Sequence, residues 1–360
     1  MAVNKKLKDI YTKLWEVPEL FVANTISNIQ ERRYLSKHLD RSYRLTKEQK
    51  REIKNYWKPY KNISTKWCQY YCAKNGKFDV RYIPNTLYYT KIDQHFNNRK
   101  LGYGFNDKNY YSQIFSDIKQ PDTVVRKIGA LLFDSDYKLI DIEKAMELTA
   151  KHSEVIIKPS QESGSGRGIG FYSTATALED IKSLLSDKRE KDYIVQAVVK
   201  QHDALKKVHE TSLNTIRIVT LLMEDGCFVL SSVLRMGVNS SRIDNVTAGG
   251  ISVKINADGT LDKYAYTYYS GEKFDKHPQG LVFEGYKIPY FDKVIDTVKS
   301  AAQKIGNFRL VSWDMSIDQN GDVILIEANM RKGGINLHQF DNGPLFGELT
   351  DRVLNEIFGK

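Results

Sequence analysis

Val155-Ile-Ile-Lys158-Pro159-Ser160-Gln-Glu-Ser163-Gly164-Ser165-Gly166-Arg-Gly168-Ile-Gly170-Phe-Tyr172 is the stretch on which the fold turns. A β-branched run ends in Lys-Pro, and four glycines then follow at every second position. Mixed with Ser and one Arg, they make a loop rich in free backbone N–H donors, which suits polyphosphate oxygens. The loop lacks the Gly-Lys-Ser/Thr ending of a P-loop. It is not a dinucleotide-binding turn either, because Ile169-Gly-Phe-Tyr reads as a strand where that motif opens a helix. A hairpin flap is what remains. Lys158 would place a cation under phosphates, and Ser163, Gly164, Ser165, Gly166 and Gly168 would line the loop above them. Taken alone, an ordinary glycine-rich surface hairpin fits the same residues.

The second informative stretch is Ser312-Trp-Asp314-Met-Ser-Ile-Asp-Gln-Asn-Gly-Asp-Val-Ile-Leu-Ile-Glu327-Ala-Asn329. Asn320-Gly321 between two apolar runs is a strong hairpin signal. Glu327 and Asn329 are two apart and share one side of their strand. Paired across the hairpin with Asp314, they bring three oxygen ligands to one sheet edge, a set that suits Mg²⁺ completed by substrate phosphates. A surface hairpin with idle acids is the alternative, although Glu327 ends a very apolar strand, a costly place for an unused carboxylate.

Around these stretches the pattern is α+β. Residues 1–75 read as helices, with Leu7, Ile10, Tyr11, Leu14 and Trp15 at helical spacing and a capped start at Thr46. A short helix is expected over 109–118, and Pro121 opens a strand. Strands are expected at Val155, Tyr193, Thr215, Phe228, Gly250 and Val323, with helices at about 141–152, 175–186 and 289–305 between them. The boundaries expected are a helical basic region over 1–105, a flap-bearing unit over 106–192 and a metal-bearing unit over 193–360.

Charge is uneven. The 360 residues carry a net +10, but residues 1–120 alone hold 24 basic and 11 acidic side chains, together with 13 of the 22 Tyr. Such a region favours a polyanionic partner: an acidic glycan or sugar nucleotide, or an anionic membrane face. Solvated helices with Tyr half-buried in the core are the plainer alternative. Nucleic acid is least favoured, since neither zinc-finger spacing nor an RRM-type aromatic signature occurs. Three Cys exclude a disulfide framework, and Cys68 and Cys72 have no nearby His pair for zinc. No apolar run approaches the ~20 residues that span a bilayer. With no apolar stretch after Met1-Ala-Val-Asn-Lys-Lys, a cytoplasmic protein is expected.

Together the two stretches resemble the ATP-grasp superfamily, and most closely its sugar-transfer-associated family. Asp107-Lys108-Asn109, Leu213-Asn-Thr-Ile-Arg217, Leu234-Arg235-Met-Gly, Asp244-Asn245 with Gly249-Gly250, and Trp313-Asp314 carry that likeness over roughly residues 85–360. It implies two α+β subdomains gripping ATP, with Mg²⁺ on Asp314, Glu327 and Asn329. Lys108 and Lys158 become the nucleotide lysines. Gln196, Ala197 and Val198 become the hinge strand that reads adenine, and Asp203 the ribose acid. Arg217, mid-strand among Ile and Val, would reach a phosphate oxygen or else close a buried salt bridge. Arg235 would grip an anionic substrate, and Arg331 a tetrahedral intermediate or a substrate carboxylate. Arg242, Asp244, Asn245, Gly249 and Gly250 would form a substrate-side loop. His202, His209 and His338 lack any obvious pairing; a lone His is more often structural, with a place for His338 in the pocket lining as the alternative.

The resemblance implies an ATP- and Mg²⁺-dependent carboxylate–amine ligase working through an acyl phosphate. Its partners would be a sugar, sugar nucleotide or glycan, an amine or carboxylate co-substrate, and proteins of polysaccharide assembly. Two other readings share the residues: a sugar phosphotransferase, and a non-catalytic nucleotide-binding partner of a glycosyltransferase complex.

Overall fold

The computed structural model describes residue 29 and residues 33–161, 166–187, 191–331 and 333–359. The chain divides into two units, 1–95 with 343–360, and 96–342. The periodic segment from Leu7 to Trp15 lies outside the described residues.

In the first unit, helix α1 (Lys47–Trp57) starts at a capping box between Thr46 and Gln49 and buries Ile53 and Trp57. Helix α2 (Lys66–Asn75) ends at Gly76, whose φ of 73° closes the turn that Asn75-Gly76 announces. Among the described residues four of the tyrosines become core here, and five more are half-buried. Trp67 stacks on Tyr71 and Tyr71 on Tyr82, while Tyr70, Tyr71, Tyr82 and Tyr88 are buried. Lys47, Lys50, Arg51 and Lys54 stay exposed. The end of the chain returns to this unit. Its helix Thr350–Phe358 takes hydrogen bonds from Tyr56 to Asp351 (2.6 Å) and from Tyr60 to Asn355 (3.1 Å).

The second unit holds two antiparallel sheets. Strands β1 (Thr123–Ile128), β2 (Leu131–Phe133), β3 (Leu139–Ile140), β4 (Glu154–Pro159), β5 (Gly170–Ser173) and β6 (Tyr193–Ala197) run in the order β3-β2-β1-β6-β4-β5. Alternation sorts their side chains. Val125, Val155, Ile157 and Val195 face helices α3 (Ile142–Ala150) and α4 (Leu178–Ser186), packing on Ala145, Ile181 and Leu185. Residues opposite these in register place Arg126, Lys158 and Gln196 on the other face.

The second sheet comprises β7 (Thr215–Met223), β8 (Gly226–Met236), β9 (Ile251–Ile255), β10 (Leu261–Thr267), β11 (Lys273–Phe274), β12 (Leu310–Ile317) and β13 (Val323–Asn329). Their order is β11-β10-β9-β8-β7-β12-β13, and the Asn320-Gly321 hairpin joins the last pair as expected. Ile216, Ile218, Leu234 and Trp313 bury one face against Val294, Val298, Ala301 and Ala302 of helix α5 (Phe291–Lys304). Arg217, Val219 and Asp314 therefore turn to the opposite face. A bulge at Ile326 of β13, opposite the step from Asp314 to Met315, lets Leu325 join the core while Glu327, two residues on, pairs with Asp314. The segment expected as a helix over 109–118 is shorter, a tight turn at Lys108–Tyr110 and one helical turn at Tyr111–Ile114. No helix among the described residues is long and apolar enough to cross a membrane.

Trp313 anchors this arrangement: it is fully buried and its Nε1–H donates to Thr220 Oγ1 at 2.8 Å. Trp313→Ala should lower the unfolding free energy by about 3–5 kcal/mol in urea titration, whereas Trp313→Phe should keep most of it. A loss below about 1 kcal/mol for the alanine variant would contradict the packing described.

Candidate nucleotide and metal site

The polar face of the second sheet carries a line of charge. Arg217 on β7 lies opposite Asp314 on β12, and Asp314 lies opposite Glu327 on β13. The guanidinium of Arg217 grips Asp314 with two hydrogen bonds, Nε to Oδ1 at 2.7 Å and Nη2 to Oδ2 at 2.6 Å. Arg235 adds a second cation, 3.4 Å from Asp314 Oδ2, while its Nε donates to Thr215 Oγ1 at 3.0 Å. Asp244 closes the group: it accepts from the Thr215 backbone at 3.1 Å, from the Thr215 hydroxyl, and from Arg235. Burial alone would raise the Asp314 pKa, but Arg217 and then Arg235 hold it below the ordinary carboxylate range.

The segment Asp107-Lys108-Asn109 bolts the two sheets together. Its Lys108 N–H donates to Ser160 O at 2.8 Å, at the end of β4, and its ammonium donates to Glu327 Oε1 at 2.6 Å. Arg126 Nη1 donates to Asn109 O at 2.6 Å. Just beyond, the buried Tyr111 hydroxyl donates to Ala328 O and accepts from Ala328 N, both at 3.1 Å, which clamps β13 on either side of Glu327 and Asn329. Lys158 stands beside this pair and is buried. Burial, then the charge of Lys108, push its pKa down to about 8 against the pull of Glu327. Its ammonium has no hydrogen-bond partner among the described residues, and neither does the buried Ser160 Oγ.

Two further pieces meet this cluster. Ile243 Cδ1 would lie 3.2 Å from a Cβ on Gly166, so the described end of the glycine hairpin rests on the loop 243–250. In that loop Asn245 Oδ1 caps the turn Val246–Ala248, and a Cβ on Gly250 would stand 2.7 Å from Met236 O. Arg331 is pinned as well. Its guanidinium lies 3.7 Å over the Tyr103 ring, and its Cδ would meet a Cβ on Gly102 at 2.2 Å.

The residues singled out in the sequence fall into distinct groups. Lys108, Lys158, Arg217, Arg235, Asp314, Glu327 and Asn329 come together. Arg217 closes the salt bridge that was the alternative reading of its charge. Gln196 is buried with its amide oxygen unpartnered, while the Ala197 N–H is engaged by Asp122 O; Val198 follows directly after β6. Asp203 is exposed in the first turn of a short helix. Arg242 is taken up by a surface fork with Glu154 (2.6 and 2.8 Å) and the Phe171 ring. Ser163, Gly164 and Ser165 lie outside the described residues. Sequence reasoning missed Tyr111 and Thr215, whose partners lie far along the chain and leave no local signal.

The sequence profile of sugar-transfer-associated ATP-grasp proteins matches residues 88–354. The chain belongs to that family. No curated protein matches it. Among solved structures it is similar to the ATP-grasp ligase PsnB complexed with a minimal precursor, at 14% identity over 72% of this chain and 64% of that one, with a TM-score of 0.42. It is also similar to the D-cycloserine synthetase DcsG (11%, 69% and 70%, 0.40) and to the D-alanyl-alanine synthetase A of Vibrio cholerae (12%, 72% and 67%, 0.43). The chain thus spans just under two thirds of the PsnB chain.

ATP-grasp proteins use ATP with Mg²⁺, and the residues fit both. Lys158 and the Gln196 amide oxygen are buried groups awaiting a partner, one for phosphate and one for a base amine. Glu327 Oε2 has no partner among the described residues, and Asp314 Oδ1 accepts only one N–H. The buried Asn329 Nδ2 is unpartnered and would suit a phosphate oxygen rather than the cation. No three His, Cys, Asp or Glu side chains converge among the described residues, so a cation here would draw on two carboxylates and the Asn329 carbonyl together with phosphate oxygens.

Lys158 gives the site a pH signature. Above about pH 8 burial and the charge of Lys108 favour its neutral form, whereas bound phosphates favour the ammonium, so binding takes up a proton there. ATP affinity should weaken by up to about tenfold per pH unit above 8, read by calorimetry in buffers of different ionisation enthalpy. Lys158→Met should bind weakly with no such slope; wild-type affinity flat to pH 9.5 would contradict the assignment.

Proposed function

We propose that the protein is an ATP- and Mg²⁺-dependent carboxylate–amine ligase that works through an acyl phosphate, joining an amino acid or similar group to a sugar in polysaccharide assembly. The observation that carries this reading is that the carboxylates and the histidine of the cluster are poor bases, while Lys158, whose pKa of about 8 would suit a base, is assigned to the phosphates. Asp314 is held by Arg217 and Arg235, Glu327 by Lys108, and both lie below their ordinary pKa range. His338 is pushed down to about 3 by burial and by Arg217. A hydroxyl acceptor needs a base to take its proton in the transition state. A carboxylate needs none.

In this account Lys108, Lys158 and the glycine hairpin hold the triphosphate, with Gln196 beside the base. Glu327 and Asn329, with Asp314, hold Mg²⁺, which when bound supplies further neutralisation of phosphate charge. Arg217 and Arg235 draw in the substrate carboxylate, which attacks the γ-phosphorus as ADP leaves. A neutral amine then attacks the acyl carbon, the C–O bond to phosphate breaks, and the proton lost from nitrogen leaves on the departing phosphate as the amide forms. The chain contributes positioning and preorganised positive charge, and the flap excludes water from the acyl phosphate.

The test is incubation with Mg-ATP, a panel of sugar acids and amino acids, and hydroxylamine to trap acyl phosphates, read by mass spectrometry. A hydroxamate formed with ADP, and lost in Glu327→Ala without loss of fold, is the expected result. A stable phosphate ester without hydroxamate would replace this reading by the phosphotransferase, and full activity of Glu327→Ala would overturn the metal assignment.

A further inference from the structure

The segment Asn336–Asn342, helix α6, is polar in sequence yet buried: Asn336, His338, Gln339 and Asp341 are all inside. It packs on β8, β9 and β10, and its Leu337 joins Val233 and Val246 in a small apolar cluster. Val233 lies opposite Arg217 in register, so the helix covers the sheet face that carries the charged line. His338 sits within electrostatic range of Arg217, Asp314 and Arg235.

Hydrogen bonding fixes which nitrogen of His338 carries its proton. Asn342 Nδ2 donates to Ser231 Oγ at 2.9 Å, and Ser231 Oγ lies 2.7 Å from His338 Nδ1. If the Ser231 hydroxyl donates to Nδ1, every group of the relay is used and Nε2 bears the hydrogen. If Nδ1 bore it, both the Ser231 hydroxyl proton and the Nε2 lone pair would be stranded. The first arrangement leaves one loose end, a buried Nε2–H with no partner. Burial and two guanidinium groups keep the ring neutral. A buried donor without an acceptor is costly unless a ligand completes it.

The neighbouring arginines hold donors in reserve. Arg217 spends Nε and Nη2 on Asp314, and Arg235 spends Nε and Nη2 on Thr215, Asp244 and Asp314, which leaves each its Nη1. Those cations suit a carboxylate. A neutral N–H suits an uncharged oxygen, because an anionic one would pull His338 toward the imidazolium that both arginines oppose.

We infer that His338 Nε2–H forms a substrate subsite for a hydroxyl or ring oxygen of an acid whose carboxylate lies on Arg217 and Arg235. The site would therefore select sugar acids over plain carboxylates. This rests on the ligase reading for its substrate class, but its test does not need turnover.

Full-length protein with ¹⁵N-labelled histidine would be studied by long-range ¹H–¹⁵N NMR at pH 7, with His338→Gln to assign the signal. The expected result is a neutral ring protonated on Nε2, and a mixture of tautomers in Ser231→Ala, a variant that leaves the helix in place. With Mg-AMPPNP present, D-glucuronate should shift the His338 Nε2–H and acetate should not. His338→Leu should weaken D-glucuronate binding about tenfold or more with AMPPNP affinity unchanged, and His338→Gln, which keeps a donor, should recover part of it. Protonation on Nδ1, an imidazolium at pH 7, or equal responses to D-glucuronate and acetate would each overturn the subsite. Failure of the ligase reading would show separately, as absence of hydroxamate.

Discussion

A charge withdrawn from water must be paired, and the second unit is built around one such pairing. Arg217 and Asp314 face each other across adjacent strands with little exposure, locked by two short hydrogen bonds. Removing one partner of a buried pair typically costs about 3–5 kcal/mol, because the other is left uncompensated. The pair is tolerated because neighbours complete it. Arg235 and Asp244 extend it toward β9, and Glu327 extends it toward Lys108 and so to the first sheet.

The sign of the cluster then follows. Lys108, Lys158, Arg217 and Arg235 outnumber Asp314, Glu327 and Asp244, so the site is poor in negative charge before any ligand arrives. A polyanion entering it meets donors already held in place, and such preorganisation costs no rearrangement during reaction. The same cations hold the local carboxylates ionised and His338 neutral. The field that favours phosphates thus also weakens the local carboxylates and His338 as bases toward a hydroxyl acceptor.

Much of this was legible in the sequence because it is local. Period-2 alternation in Thr215-Ile-Arg-Ile-Val put Arg217 on the face opposite the core, and Asn320-Gly321 announced the hairpin of β12 and β13. The one-residue bulge that brings Glu327 rather than Ile326 opposite Asp314 had no sequence signal. Lys158 and the glycine hairpin announced themselves by spacing. What was not legible depends on contacts made far along the chain. Tyr111 clamps a strand 217 residues later, and His338 finds Ser231 107 residues earlier. In the basic N-terminal stretch composition left two readings open, and contacts with Trp67 and between Tyr71 and Tyr82 put Tyr70, Tyr71 and Tyr82 in a core, as the plainer of the two had it.

The most direct measurement is a double-mutant cycle on the central pair: urea unfolding of wild type, Arg217→Met, Asp314→Leu and the double variant. Each single change should cost about 3–5 kcal/mol, and the double change should cost clearly less than their sum, since it removes both charges together. Single changes below about 1 kcal/mol, or strict additivity, would show that the pair does not hold the site and would contradict the account.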